Sequence, residues 1–141
     1  MNNMKTLSLD IGTKTIGVAV SDELGITANG LDVVRRKSEK SDLDALAGFV
    51  ERHKPKRIVV GIPFNSDGSL GKRGISIKRF SKSIGEFFGI ETVLWDESYS
   101  TSTAEETLIK ADVGRKRRKK VVDKMAAAVI LREYLDSPQG N

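Results

Sequence analysis

The start of the chain carries the pattern that most limits its fold: two alternating segments separated by a three-residue break. In residues 5–11, Leu7, Leu9 and Ile11 fall on one face and Thr6, Ser8 and Asp10 on the other. Gly12-Thr13-Lys14 interrupts the run, and in residues 16–21 Ile16, Val18 and Val20 resume the alternation against Gly17, Ala19 and Ser21. A period of two on both sides of a short glycine-containing break predicts a β-hairpin. A third extended segment over 26–34 completes a meander.

The period then changes. Ser41 can cap a helix over about 42–53, in which Leu43, Leu46, Ala47, Phe49 and Val50 form an apolar stripe that ends before Pro55. Residues 57–61 carry Ile58-Val59-Val60, a short apolar run suited to a strand covered on both faces. A stretch of turn formers over 62–69 leads to a helical pattern through Ile77, Phe80, Ile84, Phe87 and Phe88 that stops at Gly89. Residues 90–95 read as a strand and 103–110 as a short helix. Residues 121–135 read as a helix that is apolar nearly all round and is therefore buried. Three strands followed by alternating helices and strands predict an α/β fold. Its sheet is mixed and five-stranded, an antiparallel meander of three strands plus two parallel strands, with helices packed on it. At 141 residues the chain is one domain long, with the domain over 1–136 and a polar, frayed tail over 137–141.

The charge is concentrated. Arg115, Lys116, Arg117, Arg118, Lys119 and Lys120 are consecutive, and without them the chain holds 18 basic and 19 acidic residues, so the net charge of +5 lies in one segment. Such a patch forms salt-sensitive contacts to phosphates and is the footprint of a nucleic-acid binder, although a solvated loop or a targeting tract has the same composition. No apolar run approaches the roughly 20 residues that cross a bilayer, and residues 1–9 lack the features of a secretory signal, which favours a cytoplasmic protein with no membrane partner. With no Cys and His53 as the single His, thiol chemistry, His triads and soft-metal sites lack their residues. His53 falls near a helix C-terminus, where the dipole favours an imidazolium in a structural role.

Three carboxylates stand out by position. Asp10 lies near the end of the first strand, and Glu97 follows Asp96 just past a strand's C-terminal end, where open α/β sheets place their sites. Asp123 opens the buried helix three, four and seven residues before Ala126, Ala127 and Ile130. Three carboxylates brought together repel unless a cation compensates them, and an oxygen-only donor set selects one or two Mg²⁺ or Mn²⁺ ions. Two ions roughly 4 Å apart can hold a scissile phosphate and activate water without a protein nucleophile. Each acid also has an ordinary explanation: a turn residue for Asp10, a loop charge for Glu97, a helix-start carboxylate for Asp123. Gly12, Thr13 and Lys14 can offer N–H groups, a hydroxyl and an ammonium to a phosphate, or simply close the hairpin. The loop containing Asp67, Gly68 and Ser69 can approach a substrate backbone, although turn chemistry alone accounts for its composition. Trp95 and Tyr99 can stack on bases, but a Trp in a strand is more often core.

Together these residues resemble the YqgF family, also called RuvX. Residues 9–22, from Leu9-Asp10-Ile11-Gly12 to Ser21-Asp22, look like its opening motif, and Gly61-Ile62-Pro63 with Asp67-Gly68-Ser69 looks like its central loop. Arg117-Arg118-Lys119-Lys120-Val121-Val122-Asp123-Lys124-Met125-Ala126-Ala127 is similar to its C-terminal motif. The resemblance implies a ribonuclease H-like fold, with Asp10, Glu97 and Asp123 as an acidic, metal-binding catalytic triad. The basic run, Lys14 and Lys124 would hold nucleic acid. One departure concerns the surroundings of Glu97: the family usually continues from Asp-Glu with Arg and Leu, whereas Ser98-Tyr99-Ser100-Thr101 follow here.

The function expected is metal-dependent hydrolysis of phosphodiester bonds in structured nucleic acid. The substrate is precursor 16S rRNA at its 5′ end or, second, a four-way DNA junction, cut by a monomer or homodimer. The runner-up is a non-catalytic nucleic-acid-binding module on the same fold, which the missing Arg would suit. A sugar-kinase or actin-like phosphotransferase also shares the Asp10-Ile11-Gly12-Thr13 hairpin pattern, but those enzymes clamp ATP between two such domains and this chain has the length of one.

Overall fold

The computed structural model describes residues 5–97 and 115–138, and over 115–123 the course of the helical backbone alone. Five strands, β1 (Thr6–Ile11), β2 (Thr15–Ser21), β3 (Ala28–Arg35), β4 (Arg57–Ile62) and β5 (Glu91–Asp96), form one sheet in the order β3-β2-β1-β4-β5. β1 pairs antiparallel with β2 and β2 with β3, while β1–β4 and β4–β5 are parallel. The expected meander plus two parallel strands is the sheet observed. The helices are α1 (Glu39–His53), α2 (Lys72–Phe88) and α3 (Arg115–Asp136). The helix expected over 103–110 lies outside the described residues.

The sheet is covered on both faces, which the alternation in β1 does not foretell. One face buries Leu7, Leu9, Ile11, Ile16 and Val18 against Leu43 and Leu46 of α1 and Ile77, Phe80 and Ile84 of α2. The other buries Ala19 and Val59 against Ala127, Ile130, Leu131, Tyr134 and Leu135 of α3. Thr6 and Ser8, on the face opposite Leu7 and Leu9, are therefore buried as well. Polar groups on this face find partners inside: Ser8 Oγ donates to the Ala127 carbonyl at 2.6 Å, and the backbone N–H of Thr6 donates to Ser21 Oγ at 2.8 Å.

Several boundaries differ from expectation. α1 starts at Glu39 with Ser38 as its cap, Ser38 Oγ accepting from Ser41 N–H, so Ser41 lies in the first turn instead of capping it. The polar residue that obscured this start is Asp42, which is buried and accepts from Arg36 Nε and Lys37 N–H, both at 3.0 Å. α3 begins at Arg115 and not near 121, so the basic run forms its opening turns instead of a loop. Lys and Arg are good helix formers, but a run with no apolar member has no periodicity to read. Ser137, placed in the tail, is held by its N–H and Oγ donating to the Tyr134 carbonyl at 3.1 and 2.6 Å. His53 also departs from its reading: burial first, then the charges of Lys5 and Arg52, lowers its pKa, so the imidazolium is disfavoured. No described helix is long and apolar enough to cross a membrane.

Candidate active site

β1, β4 and β5 run parallel, so their C-terminal ends share one edge, and Asp10 and Glu97 both stand there. Asp10 is paired in the ladder with Gly17 on one side and Gly61 on the other. Gly61 is in turn paired with Trp95, and Glu97 N–H donates to the Ile62 carbonyl at 3.2 Å, one residue beyond the end of β5. Gly61 makes the space between them. A Cβ there would lie 2.5 Å from Ile130 Cδ1 and 2.7 Å from Glu97 Oε2, closer than Cβ atoms approach their neighbours. Absence of that side chain lets the Glu97 carboxylate fold in under β4, where the residue is 8% exposed.

Glu97 is buried beside a like charge. Its Oε2 has no hydrogen-bond partner among the described residues. Burial first, then a hydrogen bond from Glu97 to Asp10 and the charge of Asp10, pushes its carboxyl up to about 8, with the Arg73 guanidinium opposing. Arg73 is the second residue of α2, and its Nη2 donates to the Ile11 carbonyl at 3.3 Å and stands 3.8 Å from Glu97 Oε1. An orphaned carboxylate oxygen next to a second carboxylate, in a donor set made of oxygens alone, fits a hard divalent cation. No group of three acidic or histidine side chains is close enough to hold a metal among the described residues, which exclude the Asp123 side chain.

The backbone nevertheless locates position 123. It is the ninth residue of α3, so the helix-start explanation for its charge does not apply. Ser8 of β1 touches Ala127, and Ile130 packs at Gly61 while Tyr134 reaches Arg57, so α3 runs opposite to β1 and β4. Going back one turn from Ala127 to 123 therefore leads towards the end of β1 that carries Asp10, which shares the Ser8 face of its strand.

The hairpin between β1 and β2 is braced. Gly12 N–H donates to the Thr15 carbonyl, and Arg36 Nη1 and N–H donate to the carbonyls of Gly12 and Lys14, each at 2.8 Å. The Gly12 N–H is thus already engaged, leaving Thr13 and Lys14, both exposed, as the outward groups of the turn. Arg36 also pairs with Asp42 at 3.0 Å and lies over the Phe80 ring. Thr13, Arg36, Ser38 and Ser76 border a cleft of about 470 Å³. The loop after β4 leaves from the same sheet edge, but its polar groups serve each other: Asp67 accepts from Ser69 N–H at 3.0 Å and Oγ at 2.6 Å, which lowers its pKa, and Gly68 takes a positive φ of 85°. Lys124 packs on Gly30 of β3 through its Cβ. Trp95 is partly buried, edge-on to Tyr134, with Nε1 donating to Glu133, so it belongs to the core. The side chains of Arg115, Lys116, Arg117, Arg118, Lys119 and Lys120, and Ser98 and Tyr99, lie outside the described residues.

Arg36, Arg73 and the steric role of Gly61 escaped the sequence reading. A signal for Arg73 exists: it extends the stripe of Ile77, Phe80 and Ile84 one turn towards the N-terminus, placing a cation where the period asks for an inward residue.

Known proteins resemble this chain in sequence and in fold. The sequence model of the family described as "RuvX: Holliday junction resolvase" matches residues 4–137. A Geobacillus kaustophilus protein named "Putative pre-16S rRNA nuclease" is 53% identical over 136 residues, covering 95% of this chain and 99% of that one. Among solved structures, the fowlpox virus Holliday junction resolvase superposes with a TM-score of 0.58 at 15% identity, covering 94% and 98% of the two chains. Thermus thermophilus RuvC in complex with Holliday junction substrate gives 0.56 at 15% identity over 96% and 97%. At such identities the structures speak for the fold, which is the ribonuclease H-like architecture expected.

Proposed function

The chain belongs to the RuvX family, and from that premise we propose that it is a metal-dependent nuclease that hydrolyses phosphodiester bonds in structured nucleic acid. The carrying observation is the Glu97 carboxylate, buried beside Asp10 with Oε2 unpartnered and room for it made by Gly61. Asp10, Glu97 and Asp123 would hold one or two Mg²⁺ or Mn²⁺ ions. Such an ion, when bound, supplies Lewis acidity and an activated water for in-line attack on phosphorus. The protein's own part is to orient the carboxylates, whose ionised form the bound cation would favour, and to fix the phosphodiester over them.

Substrate capture falls to the basic start of α3. Six cations occupy the first turns of a helix that has no acidic residue in its first turn, at the positive end of the dipole. They repel one another and the dipole, and a phosphate backbone relieves both. Lys14 on the hairpin and Lys124 further along α3 would extend the track, with Gly12, Thr13, Asp67, Gly68 and Ser69 at its border.

The preferred substrate is precursor 16S rRNA near its 5′ end, after the name shared by relatives about half identical to this chain. A four-way DNA junction is the second reading, favoured by the family description and by the fold of resolvases. A cytoplasmic setting would suit either polymer. The test is a cleavage assay on both polymers with Mg²⁺ or Mn²⁺. Cutting of the rRNA precursor at its 5′ side with the junction left intact supports the preferred reading; the reverse supports the second; tight binding with neither cut assigns the chain to a binding module.

A further inference from the structure

We propose that Arg73 is a substrate-binding residue of this site, its guanidinium forking onto a non-bridging oxygen pair of the phosphate at or next to the scissile bond. The inference rests on the nuclease reading and adds to it the group that recognises the reacting phosphate. Arg73 is placed at the sheet edge by Nη2, which donates to the Ile11 carbonyl, one residue after Asp10, at 3.3 Å. The same nitrogen is 3.8 Å from Glu97 Oε1, too long for a hydrogen bond, so the ion pair leaves the guanidinium uncommitted to that carboxylate. Nε and Nη1 make no hydrogen bond among the described residues, and 54% of the side chain is exposed while that of Glu97 is buried at 7%. A residue whose sole task was to neutralise Glu97 would be expected to turn both nitrogens inwards onto it, since a bidentate pair is the stronger arrangement. Here one end is tethered beside the two carboxylates and the other faces solvent, and a planar fork with open donors matches phosphate geometry. The first turn of α2 holds no acidic residue to compete for it.

The experiment separates phosphate binding from support of Glu97. In an Asp10→Asn background, which keeps the substrate whole, binding of a labelled junction and of an rRNA precursor fragment is measured in Mg²⁺ across a series of KCl concentrations. Arg73→Ala should lower the slope of log K against log salt by about 1, as when one fewer phosphate is neutralised, while Arg73→Lys keeps the slope. The exposed Lys82→Ala, further along the same helix, should leave it unchanged. With Asp10 restored, Arg73→Lys should reduce the single-turnover rate about tenfold, because an ammonium carries the charge without the fork. An unchanged slope in Arg73→Ala together with a slower rate would overturn the proposal and reduce Arg73 to a positioning residue for Glu97. An equal fall in slope in Lys82→Ala would overturn it too, by tracing the effect to net charge. Failure of the parent protein to bind or cut either polymer would instead remove the nuclease reading on which the proposal stands.

Discussion

The Glu97 carboxylate occupies the volume that a side chain on Gly61 would take, with Oε2 2.7 Å from the Cβ position of that glycine. The relationship is steric and not conformational, since Gly61 lies within β4, paired with Asp10 and Trp95 on its two sides, and has no positive φ. Replacing it changes the acid without touching the acid's own chemistry. Gly61→Ala should displace both Glu97 and Ile130, destabilise the fold by about 1–3 kcal/mol through overpacking, and lower cleavage by on the order of 100-fold. Denaturant unfolding and single-turnover kinetics read the two effects separately, and a variant with wild-type rate would refute the steric cradle.

Removing one carboxylate while keeping its shape isolates its charge. Glu97→Gln should abolish metal-dependent cleavage to within about 0.1% of wild type and leave nucleic-acid binding within a fewfold, because the basic start of α3 is intact. Fluorescence anisotropy and gel-based cleavage on one substrate measure both.

Stability should depend on pH in a direction set by Glu97. Its carboxyl is raised from 4.5 to about 8 without metal, so between those values the folded chain holds a proton that the unfolded chain has released. The contribution is full below pH 4.5 and is lost as pH rises through 8. The metal-free protein should therefore melt lower at about pH 8 than at about pH 6, and Glu97→Gln should flatten the difference. Mg²⁺ requires the carboxylate, so it should raise Tm more at the higher of these two pH values than at the lower. His53 acts with the opposite sign, its lowered pKa favouring stability as pH rises past 6.5, so the Gln variant is needed to separate the two.

Arg36 joins three parts of the fold. It pairs with Asp42, which is 2% exposed, and holds the Gly12 carbonyl of the hairpin that follows Asp10. Arg36→Ala leaves Asp42 buried without its cation and should cost about 3–5 kcal/mol. Urea titration checks this, and Arg36→Ala with Asp42→Asn should recover part of the loss.

The basic run has a salt signature. Changing Arg117, Arg118, Lys119 and Lys120 to Ala should weaken binding and flatten its salt dependence by roughly 0.7–0.9 for each phosphate that is no longer neutralised. An unchanged slope would remove these residues from the interface.

The elements and the mixed character of the sheet were readable because β1 and β2 alternate cleanly around Gly12-Thr13-Lys14, and because apolar periods separate α1, β4, α2 and β5; the order of the strands was not. The way Ser8 is accommodated under a covering helix was not either, since its hydroxyl has no evident partner until α3 supplies the Ala127 carbonyl that accepts from it. The placement of Asp10 and Glu97 at one edge followed from strand ends. Their closeness depends on Gly61, whose role lies in what it lacks. Arg36 carried no sequence signal and Arg73 only its place in line with Ile77, because cations are frequent on helices and strand ends and their tasks come from tertiary contacts to Ile11, Glu97, Gly12 and Asp42.

The most direct test of the central claim is cleavage of the rRNA precursor fragment and the four-way junction by the wild-type chain and by Asp10→Asn, each with Mg²⁺ and with chelator. Cleavage of at least one polymer that requires the ion and vanishes in Asp10→Asn, with binding retained, is the result predicted. Cleavage that persists in Asp10→Asn or in chelator would contradict the carboxylate metal site.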